Sequence, residues 1–221
     1  LAEENSLIRR NPFYFELATI LTNDMVTRKA LATNQERRFL AFVEGDEHFH
    51  RYRDAIYILL NTGLRISEFC GLTVEDLDFK NGSIRVNKQL LGIRYVPMTQ
   101  AVTECFRSIL AQRLKPSSEP VVDGVSGFLF LDKNEMPRVA LHWEKYFHHA
   151  IEKHNRIYKD ELPKITPLVC RHTFCSKMAR RGMNPAKLKC IMGHSDINVT
   201  FNTYTHLDFD DVREDMLKIG C

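Results

Sequence analysis

Leu168-Val169-Cys170-Arg171-His172-Thr173-Phe174 opens the stretch whose reading decides the fold, and Met192-Gly193-His194-Ser195-Asp196 closes it. Between them the sequence predicts a helix over 173–181 that stops at Gly182. Asn184-Pro185 then makes an N-cap and first-turn pair for a second helix, which stops at Gly193. Ser195 can cap one more short stretch, which delivers Tyr204 ten residues after His194. From Arg171 to Lys189 there are six basic residues (Arg171, Lys177, Arg180, Arg181, Lys187 and Lys189) and no acidic one. The sign reverses over 208–215, with Asp208, Asp210, Asp211, Glu214 and Asp215. A single-sign basic face beside turns and helix starts suits phosphate contacts, although a solvated helix surface has the same composition.

Working outward, Thr33 with Glu36 fits a capping box ahead of Phe39, Leu40, Phe42 and Val43, closed by Gly45. A second helix is expected over 52–60, stopped by Thr62-Gly63, and a short helical turn over 65–70 ends at Gly71. Thr73 with Asp76 reads as another cap before Leu77. Between Ser83 and Met98 the apolar period changes to two, through Ile84 and Val86, then Ile93, Tyr95 and Pro97, which reads as a hairpin. Its junction, Gln89-Leu90-Leu91-Gly92, is a poor turn, because two leucines at a tip gain nothing from solvent. The reading is that a hairpin segment is missing there. Further helices are expected around 102–112 and 141–154, on either side of a strand-like 127–131. The fold class is therefore α+β, mainly α-helical with a small antiparallel β-sheet.

The 221 residues give room for one large domain or two small ones. Hydrophobic residues at 44% and charged residues at 27% exclude wholesale disorder. No apolar run approaches the ~18 residues of a membrane span, so no membrane partner is expected. The net charge of +3, from 31 basic and 28 acidic residues, is too mild to prove a nucleic-acid partner. The six cysteines, Cys70, Cys105, Cys170, Cys175, Cys190 and Cys221, lack paired spacing and read as reduced thiols. Cys170 and Cys175 flank His172, but zinc sites use tighter pairs with a second pair downstream, so neither metal nor cofactor is expected. Because the chain opens at Leu1, it reads as part of something longer. Residues 1–32 then read as a lead-in, ahead of a main unit over 33–206 and a C-terminal helix over 207–221.

Three separated segments matter together: Thr62-Gly63-Leu64-Arg65-Ile66-Ser67-Glu68, the stretch from Leu168 to Phe174, and Met192 to Asp196 followed by Tyr204-Thr205-His206. In this order and spacing they resemble the catalytic domain of tyrosine recombinases, the phage integrase family, and among them the integrases of conjugative transposons. The resemblance implies that Arg65 and Arg171 are the two catalytic arginines, His194 the late histidine and Tyr204 the nucleophile. Glu68 is the carboxylate three positions after Arg65. The family histidine that stands three residues before the second arginine is replaced here by Leu168. Lys88 is the nearby candidate for the hairpin lysine that protonates the leaving 5′-oxygen. His172, Lys177, Arg180, Arg181, Lys187 and Lys189 are candidate DNA contacts.

The chemistry accounts for these residue types. Opening a phosphodiester and resealing it without an energy source requires a covalent intermediate that keeps the bond energy. A phenol can form one, but with a pKa near 10 it must lose its proton during attack. Charge then gathers on the non-bridging oxygens, where two guanidiniums can donate forked hydrogen bonds. The resemblance implies site-specific recombination through a 3′-phosphotyrosyl link, with double-stranded DNA at element ends and target as partner. It also implies a DNA-dependent homotetramer, excisionase or DNA-bending accessory proteins, and a cytoplasmic, nucleoid location. The competing readings are a catalytically impaired DNA-binding module and a type IB topoisomerase.

Overall fold

The computed structural model describes residues 30–88, 92–113 and 115–193. In chain order these form α1 (Thr33–Gly45), α2 (Arg53–Thr62), α3 (Ile66–Cys70), β1 (Leu77–Asp78), β2 (Ser83–Lys88), β3 (Gly92–Pro97), α4 (Gln100–Gln112), α5 (Ala140–Ile157), α6 (Pro167–Arg180) and α7 (Pro185–Met192). The architecture is mostly helical with one three-stranded antiparallel sheet of order β1-β2-β3, as the sequence reading expects.

The core is built around α2. Ile56, Ile58, Leu59 and Leu60 are all fully buried, and the helix packs against α1, α4 and α6. A helix apolar on nearly every side must lie inside the domain. Each such side chain contributes about 1.5–3 kcal/mol relative to exposure. Trp143 of α5 meets Phe69 and Phe130 edge-on at 5.3 and 5.2 Å, which fixes α5 against the short helix α3. No helix among the described residues is long and apolar enough to cross a membrane.

Several local expectations shift. The first helix is capped one residue earlier, with the Gln35 side chain accepting from the Ala32 N–H at 3.0 Å. Glu36 is instead buried and accepts from Lys177 Nζ at 2.7 Å. Leu31 lies in the core, and its N–H donates to Thr173 Oγ1. Residues 127–131 form no strand. They make isolated bridges, Thr73 to Phe128 and Leu131 to Pro137, and the apolar run Phe128 to Leu131 is an extended core-filling segment. The helix carrying Arg171 starts at Pro167 rather than near 173. Thr166 caps it by accepting from the Val169 N–H, the same Thr/Asn-Pro signal that opens α7 at Asn184-Pro185.

The hairpin forms, but the facing of its second strand is the reverse of the apolar pattern. The register pairs Ile84 with Val96 and Val86 with Arg94, and residues directly opposite one another point to the same face. Arg94 and Val96 are therefore buried with Ile84 and Val86, while Ile93 and Tyr95 are more than half exposed. Residues 89–91, the expected defective tip, lie outside the described residues, as do 1–29 and 194–221.

Candidate active site

The site begins where α2 stops. Gly63 has φ +66°, and a Cβ placed there would lie 2.5 Å from Phe174 Cδ1 and 2.8 Å from Met192 Sδ. Glycine is required on both counts: it takes the left-handed turn without strain, and it lets α6 and α7 close on the backbone. Two residues later Arg65 occupies the N-cap of α3, with Glu68 at the third helical position. The Glu68 carboxylate reaches back to accept the Arg65 backbone N–H at 2.8 Å and Arg65 Nη1 at 3.0 Å.

Three guanidiniums from three elements then converge on the end of α7. Arg94 Nε of β3 donates to the Ile191 carbonyl at 2.9 Å. Arg171 Nη2 of α6 donates to the Met192 carbonyl at 2.6 Å. Arg65 Nη2 donates to the Gly193 carbonyl at 3.0 Å. The last carbonyls of a helix have no intrahelical partner and carry the negative end of its dipole, so cations are the favoured partners here. Arg171 Nη1 also donates to the Gly63 carbonyl, which joins the turn before Arg65 to the same cluster.

Glu68 balances the charge. Both its oxygens accept from Arg94, at 2.7 Å each, and both also accept from Arg65. Burial alone would raise its carboxyl, but the Arg94 fork, the Arg65 N–H and the two nearby cations outweigh that and bring it down to about 2. Burial pushes the Arg171 guanidinium down to about 10, helped by the Arg65 charge and opposed by Glu68, so it stays charged at neutral pH. The arginines differ in access. Arg94 and Arg171 are buried, whereas the Arg65 side chain is 38% exposed and open to a ligand.

The remaining candidates are distributed unevenly. Leu168 lies in the first turn of α6, one turn before Arg171, and is 40% exposed. His172 is exposed on the same helix, while Cys170 and Cys175 are turned into the core. Burial raises the Cys170 thiol far above its ordinary range. Arg180, Arg181 and Lys187 are exposed, and Lys189 is half-buried. Lys177, expected as a DNA contact, has its ammonium on Glu36 and within 3.3 Å of Asn61 Oδ1. Lys88 ends β2 opposite Gly92. His194 and Tyr204 lie outside the described residues. No group of three His, Cys, Asp or Glu side chains able to hold a metal occurs among the described residues. Sequence reasoning missed Arg94; its signal was a lone charge between Ile93 and Tyr95, at the position the hairpin register turns inward.

The phage integrase family matches residues 29–211. Over its whole length the chain is 39% identical to the transposase from transposon Tn916 of Enterococcus faecalis, and it covers 58% of that protein. It is 30% identical to the tyrosine recombinase XerC of Thermodesulfovibrio yellowstonii, over 72% of this chain and 50% of that protein. Among solved structures, the integrase of transposon Tn1549 in complex with a circular intermediate DNA superposes with a TM-score of 0.83 at 39% identity. That match covers 98% of this chain and 74% of that one. A XerA recombinase, at TM-score 0.69 and 23% identity, shares the fold. The chain belongs to the phage integrase family. It spans a little over half the length of the transposases it matches.

Proposed function

We propose that this chain is the catalytic domain of a site-specific DNA recombinase, an integrase or transposase of a mobile element, which cuts and rejoins DNA through a 3′-phosphotyrosyl intermediate. The observation that carries the reading is the seating of Arg65 and Arg171 on the Gly193 and Met192 carbonyls, the two residues immediately before His194. Tyr204 follows ten residues later. Two fixed guanidiniums beside the segment that leads to a tyrosine are what in-line attack on a phosphodiester requires.

In this reading the Tyr204 oxygen bonds to phosphorus as the bond to the 5′-oxygen breaks. Arg65 and Arg171 take up the charge that develops on the non-bridging oxygens, and Glu68 orients Arg65. The phenol proton goes to His194, His172 or water, and Lys88 is the candidate donor to the leaving 5′-oxygen. Arg180, Arg181, Lys187 and Lys189 hold backbone phosphates. Residues 33–206 act as the catalytic unit on double-stranded DNA at element ends and target, in a DNA-assembled homotetramer. Residues 207–221 dock on a neighbouring subunit, and the work is done at the bacterial nucleoid, with excisionase or DNA-bending proteins as accessory partners.

The test is a strand-exchange assay with the full chain and duplexes carrying the element ends. Exchange that requires two paired sites supports the proposal. Relaxation of any supercoiled plasmid without exchange means a type IB topoisomerase. A bound but uncleaved duplex means a DNA-binding module, the reading favoured by the exposed Leu168 where a proton-handling side chain belongs.

A further inference from the structure

We propose that Arg94 is a positioning residue of this site: it holds Glu68 and the end of α7 so that Arg65 stays directed at the phosphodiester. The inference rests on the recombinase reading above. Arg94 reaches no ligand itself. It is 8% exposed, and Nε, Nη1 and Nη2 are each committed, to the Ile191 carbonyl and to the two Glu68 oxygens. A guanidinium suits this task because its planar fork meets a carboxylate with two parallel bonds while its Nε points elsewhere. An ammonium offers no such geometry.

Arg94 acts in two ways. First, it shares the charge of Glu68. Each Glu68 oxygen accepts once from Arg94 and once from Arg65. With Arg94 present, the carboxylate neutralises only part of Arg65, and the three groups together keep one net positive charge. Without it, Arg65 and Glu68 would cancel, and the open guanidinium would offer an anionic transition state far less. Second, the bond to Ile191 fixes the exit of α7, from which Met192 and Gly193 lead to His194. That bond also ties the position of the hairpin to the site, because Arg94 sits opposite Val86 in the β2–β3 register. Burial alone would raise this carboxyl, and the Arg94 fork leads the interactions, with the Arg65 N–H and both charges, that bring it down to about 2 instead.

The experiment compares the full-length wild type with Arg94→Gln and Arg94→Lys. It reads the first-order rate of covalent adduct formation on a nicked suicide duplex at saturating protein, the affinity for that duplex, and the pH–rate profile. For Arg94→Gln we expect unchanged DNA affinity and a cleavage rate lowered roughly 100-fold, the scale of a 1 Å misplacement. Its acid limb should move to higher pH as Glu68 loses its partner, and Arg94→Lys should recover part of the rate. A glutamine variant that cleaves at the wild-type rate with the wild-type pH profile overturns the proposal. Should Arg94→Gln fail to fold, Arg94→Lys, which keeps the charge but not the fork, takes its place. A slowed lysine variant with wild-type DNA affinity supports the proposal and a wild-type rate overturns it. If the wild type itself forms no adduct, the recombinase reading fails, and this inference falls with it.

Discussion

Arg171 donates a hydrogen bond to the backbone carbonyl of Gly63, across 108 residues of sequence. The same guanidinium holds the Met192 carbonyl, so the turn before Arg65, the helix bearing Arg171 and the end of α7 form one unit. The geometry of Arg65 is thus set by backbone atoms of distant segments and by Glu68, and damage at Gly63 should reach all of them.

Gly63→Ala introduces a left-handed alanine and a Cβ 2.5 Å from Phe174. The strain and the overpacking together should cost about 2–4 kcal/mol. Chemical denaturation should show the lower midpoint, and a variant as stable as wild type would mean that α6 and α7 do not close on this turn.

Acid should act through Glu68. Its folded value, about 2, lies below the ordinary 4.5, so the stability it contributes is fully present above pH 4.5 and is lost as pH falls from there through about 2. The amount is on the order of 3 kcal/mol by linkage. Glu68→Gln should be less stable than wild type at neutral pH, and the gap should narrow in acid. A constant gap from pH 7 to pH 2 would contradict the ionised, doubly paired carboxylate.

The basic residues of α6 and of its C-cap, Arg181, should separate by role. Arg180→Ala and Arg181→Ala should each reduce the slope of DNA affinity against log salt by about 1. Lys177→Met should leave that slope alone and instead destabilise the fold by roughly 1–3 kcal/mol, because it strands the buried Glu36. A lower salt slope for Lys177→Met would place its ammonium on DNA after all.

Leu168→His should speed cleavage, because it places an imidazole one turn before Arg171. General acid–base assistance is worth about 10²–10⁴-fold, and a gain near the lower end is expected in single-turnover assays. No gain would mean that proton transfer already has an adequate route.

How far the sequence reveals this arrangement depends on the range of the interaction. Local signals carried well: Asn184-Pro185 does open α7, Gly63 and Gly193 do end helices in the left-handed region, and Thr73 with Asp76 does form a cap. Arg65 with Glu68 was legible because its partner lies three residues away. The role of Arg94 was hidden, since its partners are 26 and 97 residues distant. Apolar alternation also pointed the wrong way, because Ile93 and Tyr95 face solvent. The partner of Lys177 was hidden for a similar reason: it stands in a basic run, and Glu36 lies 141 residues earlier. The tyrosine and the late histidine come from motif spacing alone, since both lie outside the described residues.

The most direct measurement is to trap the protein on DNA. The full-length chain is incubated with a nicked suicide duplex of the element end, any protein–DNA adduct is digested, and the linked residue is identified by mass spectrometry beside a Tyr204→Phe control. The account predicts an adduct joined through Tyr204 to a 3′-phosphate, absent from the phenylalanine variant. An adduct through another residue, or one that survives Tyr204→Phe, would contradict it.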